Sequence, residues 1–334
     1  MSRRNDIPKP PSDLRVTDED TFRQRRRLIQ AMGAGAIAAG LGGAMATILP
    51  VLGQDMPDNR GVPDNAAARE KGEIWPPTRN PDYADAGRPI TKEDVAGKYN
   101  NFYEFSLSKD VWQHCANFKT RPWTIEVGGL CNKPKTFDID DLLKTLTLEE
   151  RVYRFRCVEA WAMVVPWSGV PLKALLDKVE PLSTAKFVRF VSVKRPTEMP
   201  EQREGKTYAW KFPYYEGLRM AEAMHPLTLL TLGVYGKPLP TQHGAPVRVI
   251  TPWKYGYKSP KSIVKIELVA EQPKTFWNDL QPGEYSFLSN VNPEKPHPRW
   301  SQATERMIDT GERVKTLLYN GYADQVGKLY AEGE

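Results

Sequence analysis

Cysteine and histidine are scarce in this chain, three and four in 334 residues. None of them falls into CxxC, CxxCH or HExxH spacing. That pattern excludes a zinc site, an iron–sulfur cluster or a c-type haem built from protein ligands. A large excess of one charge is also missing. The formal charge is +6, but residues 1–46 hold eight Lys and Arg against five Asp and Glu, which leaves 39 against 36 for the rest. With no RNP, zinc-finger or helix-turn-helix pattern, nucleic acid is not an indicated partner. Internal repeats and low-complexity tracts are absent as well. A lone soft thiolate in such a chain would need a cofactor to supply the remaining ligands of a metal.

What is present suffices for a large core, since 40% of the residues are hydrophobic and 10% aromatic. Residues 1–46 have the layout of an export signal. FRQRRRLIQ is followed by an uncharged run from Ala31 to Leu49, and Ala44 and Ala46 fit cleavage after Ala46. Arg25-Arg26 followed by Arg27, Leu28 and Ile29 is a twin-arginine arrangement, so export machinery of that type is an expected partner and the periplasm the expected location. The run is long enough to span a bilayer, but its five glycines and lack of Phe or Trp make it a poor anchor. Residues 47–98, dense in Pro, Gly, Asp and Asn, predict an extended arm without helices. Of the three cysteines, Cys115 and Cys131 could pair if the fold brings them within reach, and Cys157 is the one expected to stay free.

Residues 99–334 carry mixed elements. Trp123, Ile125 and Val127 alternate with polar residues as in a half-buried strand ending at Gly128-Gly129. Asp138 is placed to cap a short helix through Leu143. Leu172, Leu175, Leu176 and Val179 fall at helical spacing, stopped by Pro181. Phe187–Val193, Val247–Ile250 and Ile263–Leu268 read as strands, VKTLLY as strand-like, and a last helix starts at Tyr322. Many short strands with few helices predict an α+β domain built on mixed or barrel-like sheets.

The centre of the chain is RVYRFRCVEAWAMVVPW, Arg151 to Trp167. Val152–Glu159 reads as a strand, which puts Tyr153, Phe155, Cys157 and Glu159 on one face and Arg154, Arg156 and Val158 on the other. A cysteine among aromatics is commonly a small core hydrophobe. Further on, WKYGYKSPK (Trp253 to Lys261) is a basic loop that suits a phosphate or is a solvated hairpin. There Gly256 allows close backbone approach, Lys258 and Lys261 supply charge, and Ser259 supplies a hydroxyl.

RCVEAWAMVVPW, NNFYEF (Asn100 to Phe105), EGLRMAEAMHPLTLLTLGVYGKPLP (Glu216 to Pro240), GAPVRVITPWKYGYK (Gly244 to Lys258) and HPRWSQATER (His297 to Arg306) occur in this order. Together they resemble the sulfite-oxidase-like molybdopterin family, in particular the catalytic subunits of periplasmic protein-methionine-sulfoxide reductases. The resemblance runs from about Tyr99 to Tyr330. It implies the sulfite-oxidase-like fold and a molybdenum-molybdopterin cofactor. Cys157 is then the molybdenum ligand, and Asn100, Tyr103 and Glu104 contact the cofactor. Ser192 stands where relatives carry threonine and His243 where they carry asparagine; each keeps a hydrogen-bonding group. Arg248 follows in GAPVR, and Ser259, Pro260 and Lys261 form the phosphate loop. Glu159, two residues past Cys157, is a candidate proton relay or half of a structural ion pair with an arginine. The implied activity is reduction of methionine sulfoxide in oxidised periplasmic proteins, with electrons from a membrane haem-binding subunit and the quinone pool. Sulfite oxidation and a non-catalytic exported binding domain are the alternatives.

Overall fold

The computed structural model describes residues 74–330, so the expected export signal and residues 47–73 of the expected arm lie outside the described residues. In chain order the strands and helices are β1 (Thr78–Arg79), α1 (Glu93–Lys98), β2 (Thr124–Gly129), β3 (Lys135–Asp138), α2 (Ile139–Thr145), β4 (Glu149–Arg156), β5 (Trp161–Pro171), α3 (Leu172–Leu176), β6 (Phe187–Ser192), β7 (Tyr215–Arg219), α4 (Met220–Ala223), β8 (Leu229–Val234), β9 (Lys237–Pro238), β10 (Arg248–Ile250), β11 (Ile263–Val269), α5 (Phe276–Leu280), β12 (Thr304–Met307), β13 (Arg313–Lys315) and α6 (Ala323–Val326).

Two mixed sheets carry the site. One has the order β3-β2-β11-β6-β7, with β2 and β11 parallel and the other neighbours antiparallel. The other runs β1-β4-β5-β12-β13, with β8 on the far end of β5 and β9 and β10 on β8. Strand β5 is long enough for this branching: Trp161 and Ala162 pair with β12, while Trp167–Pro171 pair with β8. The α+β class with mixed sheets expected from the strand pattern is the one observed.

Local chemistry accounts for most elements. In β2, Ile125 and Val127 are buried and Thr124 and Glu126 exposed, as period-two alternation requires. Asp138 caps α2 by accepting from the backbone of Asp140 at 2.8 Å, and the helix runs to Thr145, two residues beyond the expected end. Leu172, Leu175 and Leu176 are fully buried on α3, and such side chains contribute about 1.5–3 kcal/mol each. Glu180, in the left-handed region, ends that segment just before Pro181. Other expectations are corrected. The arm is not wholly extended, since Glu93–Lys98 forms α1 with Ala96 buried. In the strand-like VKTLLY only Val314 and Lys315 pair as strand; Tyr319 and Asn320 are left-handed, and Asn320 Nδ2 donates to Pro252 O at 2.8 Å.

Arg156, next to Cys157, donates to the Cys157 backbone carbonyl and not to the sulfur. Arg156 is fully buried, with Nε 2.8 Å from Glu305 Oε2, and Arg88 holds the other oxygen of that carboxylate. The cysteines Cys115, Cys131 and Cys157 are all free, so the Cys115–Cys131 pairing is not made.

Candidate active site

Strand β4 stops at Arg156 rather than continuing through Glu159. Residues 157–160 turn the chain back into β5: Cys157 N–H donates to Trp161 O at 2.9 Å, and Ala160 N–H to Cys157 O at 3.0 Å. Ala160 has φ 64°, a position usually given to Gly or Asn. The turn was therefore invisible in the sequence, where valine and aromatic residues continue on both sides without a turn residue. Its consequence is chemical. The Cys157 sulfur sits at a turn, within 3.4 Å of the Glu159 N–H and 3.5 Å of Asn101 Nδ2. Burial and the Glu159 carboxylate push the thiol up to about 12. A cation at the sulfur is thus what would hold it as thiolate.

Glu159 joins the sulfur despite the lost strand. Its carboxylate accepts from Asn101 Nδ2 at 3.1 Å, Tyr103 Oη at 3.2 Å and Trp161 Nε1 at 3.1 Å, and it pairs with Lys109. The ion-pair partner is a lysine, not an arginine. Asn101 and Lys109 were missed by the sequence reading. Asn101 stands beside a chosen residue inside NNFYEF, whereas Lys109 carried no signal until the loop folded back.

A second group of residues converges through strand pairing. Ser192, at the end of β6, pairs with Ile263, and Val193 N–H donates to Ser262 O at 3.0 Å. Arg248 bridges to Lys261 across the start of β10. Gly244, at φ +102°, leaves no room for a Cβ, which would lie 2.8 Å from Lys261 Cβ. Lys261 Nζ stands 5.0 Å from the centre of the Phe102 ring, in the NNFYEF loop. Asn100, Glu104, Ser192, His243, Arg248 and Ser259 are all buried.

The electrostatics of this group are unusual. Arg248 is 2% exposed and, among the described residues, meets no carboxylate. Its guanidinium donates only to His243 O at 2.8 Å and Ser259 O at 3.2 Å, and lies over the Phe155 and Trp167 rings. Burial lowers it to about 9. Burial and Arg248 also lower the Lys261 ammonium, which Glu104 partly offsets, while burial raises Glu104. His243 is driven down to about 3 by burial, Arg248 and Lys261, so its ring is neutral. Asn100 Oδ1, Ser192 Oγ, His243 Nδ1, Arg248 Nε and Trp167 Nε1 are buried without a hydrogen-bond partner. Buried polar atoms normally have one, and an unpaired buried cation is costly.

Two expectations for the basic loop are corrected. Lys254 and Lys258 are not solvated: each is fully buried against a carboxylate, Lys254 on Glu222 at 2.7 Å and Lys258 on Glu216. Lys258 is thus spent on its own ion pair, and only Lys261 keeps charge for a ligand. The Ser259 hydroxyl accepts from Thr251 N–H at 3.2 Å and so faces the protein backbone. The close approach at Gly256 is to Phe155, whose Cζ would be 2.6 Å from an added Cβ. Gly256→Ala should therefore destabilise the fold by about 1–3 kcal/mol through overpacking; an unchanged melting temperature would contradict that contact.

Comparison with known proteins bears on this geometry. The family model of the oxidoreductase molybdopterin binding domain matches residues 113–277. The protein-methionine-sulfoxide reductase catalytic subunit MsrP of Xanthomonas axonopodis pv. citri (strain 306) is 46% identical over 338 residues, covering 99% of this chain and 98% of the relative. This chain belongs to the MsrP family. Among solved structures, the sulfane dehydrogenase SoxCD from Paracoccus pantotrophus matches 60% of this chain and 59% of its own at 14% identity, with a TM-score of 0.40, too low to carry an argument.

Molybdopterin brings a phosphate and a polar pterin, and the residues present fit both. Two cations without an adequate anion, the buried Arg248 and the half-buried Lys261, suit the phosphate. Unpaired Asn100 Oδ1, Ser192 Oγ and His243 Nδ1 supply the mixed donors and acceptors a pterin requires. Tyr103 belongs to the group around Cys157, through its hydrogen bond to Glu159. Surface hollows lined by Trp75 and Leu239, and by Trp123 and Lys265, contain none of these residues. In this MsrP-family chain the site is marked by unpaired buried polar atoms.

Proposed function

We propose that this chain is the catalytic subunit of a periplasmic enzyme that reduces methionine sulfoxide in oxidised proteins. The observation that carries the reading is the set of unpaired buried polar atoms around Arg248 and Lys261, next to a buried turn thiol, in a chain 46% identical to an MsrP subunit. Cys157 would hold molybdenum, Arg248 and Lys261 the phosphate, and Asn100, Ser192 and His243 the pterin. When bound, the cofactor supplies a two-electron centre for oxygen-atom transfer. The balance is one sulfoxide, two electrons and two protons giving one thioether and one water.

The chain's own part is placement and proton management. Asn101, Tyr103, Trp161 and Lys109 hold the Glu159 carboxylate beside Cys157, in reach of a proton on its way to the departing oxygen. Electrons need a second protein, because the sequence has no haem or ferredoxin cysteine motif. A membrane haem-binding subunit fed by quinones is the partner the family resemblance implies. The test is metal analysis with two assays: about one molybdenum per chain and turnover of methionine sulfoxide, not sulfite, are expected. Protein without molybdenum after expression in a cofactor-competent host would overturn the reading.

Export is tested separately. Replacing Arg25, Arg26 and Arg27 with Lys should leave the precursor in the cytoplasm, because the address is read by a receptor that requires the arginine pair. Fractionation with immunoblotting reads the result, and normal periplasmic accumulation would refute it.

A further inference from the structure

The turn that presents Cys157 is bordered by a row of aromatic rings. Tyr103, bonded to Glu159, meets Trp277 edge-on at 5.5 Å, and Trp277 meets Tyr285 at 5.3 Å. Tyr285 meets His297 at 5.6 Å, and His297 stacks on Trp300 at 3.7 Å, with planes 7° apart. Trp300 Nε1 then donates to Val158 O at 2.8 Å. The row begins and ends on the same four-residue turn. From Tyr103 and Trp277 a branch leads away: Tyr208 lies 6.2 and 5.8 Å from them, and two residues further Trp210 is 72% exposed, the most exposed large apolar side chain among the described residues.

A single exposed apolar residue needs no explanation, but Trp210 stands two residues along the chain from Tyr208, whose ring packs on Tyr103 and Trp277 beside the turn. Tyr285 and His297 are buried, whereas Tyr103, Tyr208, Trp277 and Trp300 are half-buried and are the rings a ligand can reach. Aromatic faces take up S-methyl and methylene groups well, and Trp and Tyr lose little conformational freedom when they bind a peptide. Oxidised methionine is polar and loosens the packing around it, so the segments that carry it are accessible as extended chain.

We propose that this row is the docking surface for an extended stretch of polypeptide carrying the methionine sulfoxide. The sulfoxide side chain lies against Tyr103 at the turn, and Trp277 with the branch through Tyr208 to Trp210 takes its neighbours in the peptide. This rests on the reading of the site as a sulfoxide reductase. It assigns the preference for protein-bound over small sulfoxides to Trp277 and Trp210.

The test uses the full mature holoenzyme with a reduced viologen dye as electron donor. The substrates are an unstructured synthetic peptide with one central methionine sulfoxide, and dimethyl sulfoxide. Trp210→Ala and Trp277→Ala should each lower the ratio of kcat/KM for peptide over dimethyl sulfoxide by at least about fivefold, through KM. Trp277→Phe, which keeps an aromatic face, should restore most of it. Equal losses on both substrates would mean a structural role and overturn the proposal, as would an unchanged ratio. A defect in Trp210→Ala seen only with the quinone-linked donor would assign the patch to electron delivery and overturn it too. Wild-type holoenzyme that reduces neither sulfoxide would instead overturn the parent reading, and the docking surface with it.

Discussion

Cys157→Ser protein is expected to fold, to keep part of its molybdenum and to turn over no methionine sulfoxide. The thiol is buried in a cluster with Phe155 and Trp161, but the turn that carries it is held by its own backbone hydrogen bonds. Serine keeps the size and can still accept from the Glu159 N–H, so the fold loses little. A soft thiolate suits molybdenum far better than a hydroxyl that stays protonated near neutral pH. Changes to groups that merely support a metal ligand already cost about 10–100-fold, so losing the ligand itself should cost more than about 100-fold. Arg248, Lys261 and the pterin contacts are untouched, which is why cofactor should remain in part. Circular dichroism, molybdenum content and dye-linked turnover on one sample decide the matter. A well-folded variant with near-normal turnover would end the assignment of Cys157 as metal ligand.

Arg248→Gln is expected to lose cofactor without losing the fold. A structural arginine would sit on a carboxylate, as Arg156 sits on Glu305, and removing it would leave a buried charge alone at a cost of about 3–5 kcal/mol. Arg248 is the reverse case: in the protein without cofactor it is itself the buried charge without an anion. Glutamine removes that cost and can still donate to one of the two carbonyls, so the cofactor-free variant should melt close to the parent. In the loaded protein it removes charge-assisted bonds worth about 1.5–3 kcal/mol, a weakening of roughly 10- to 150-fold. Molybdenum content after prolonged dialysis and melting curves with and without cofactor read both effects. A large fall in melting temperature with molybdenum retained would make Arg248 structural.

Local rules accounted for what local interactions control. The alternation in Trp123–Val127, the Asp138 cap, the helical spacing of Leu172, Leu175 and Leu176, and the strand Phe187–Ser192 depend on neighbours in the chain and were legible there. Strand β8 was not: all six residues, Leu229–Val234, are buried, so no alternation marks it. Strand β12 was hidden by Glu305, whose charge reads as surface until Arg156 and Arg88 arrive from distant segments.

The site divides the same way. Motif order placed Asn100, Glu104, Ser192, His243, Arg248 and Lys261 on the list of candidates, and Cys157 at its centre. Which cations remain available was decided only by the tertiary structure. Lys258 and Lys261 look alike in WKYGYKSPK, but Glu216, 42 residues earlier in the chain, neutralises the first and leaves the second facing Arg248. The turn at Cys157 was likewise set by pairing, since the register between β4 and β5 forces reversal at residues 157–160 where no glycine announces it. Sequence alone thus determined which residue types were on offer and in which order. Long-range pairing and burial decided their charge, direction and availability, because both depend on partners that only folding brings near.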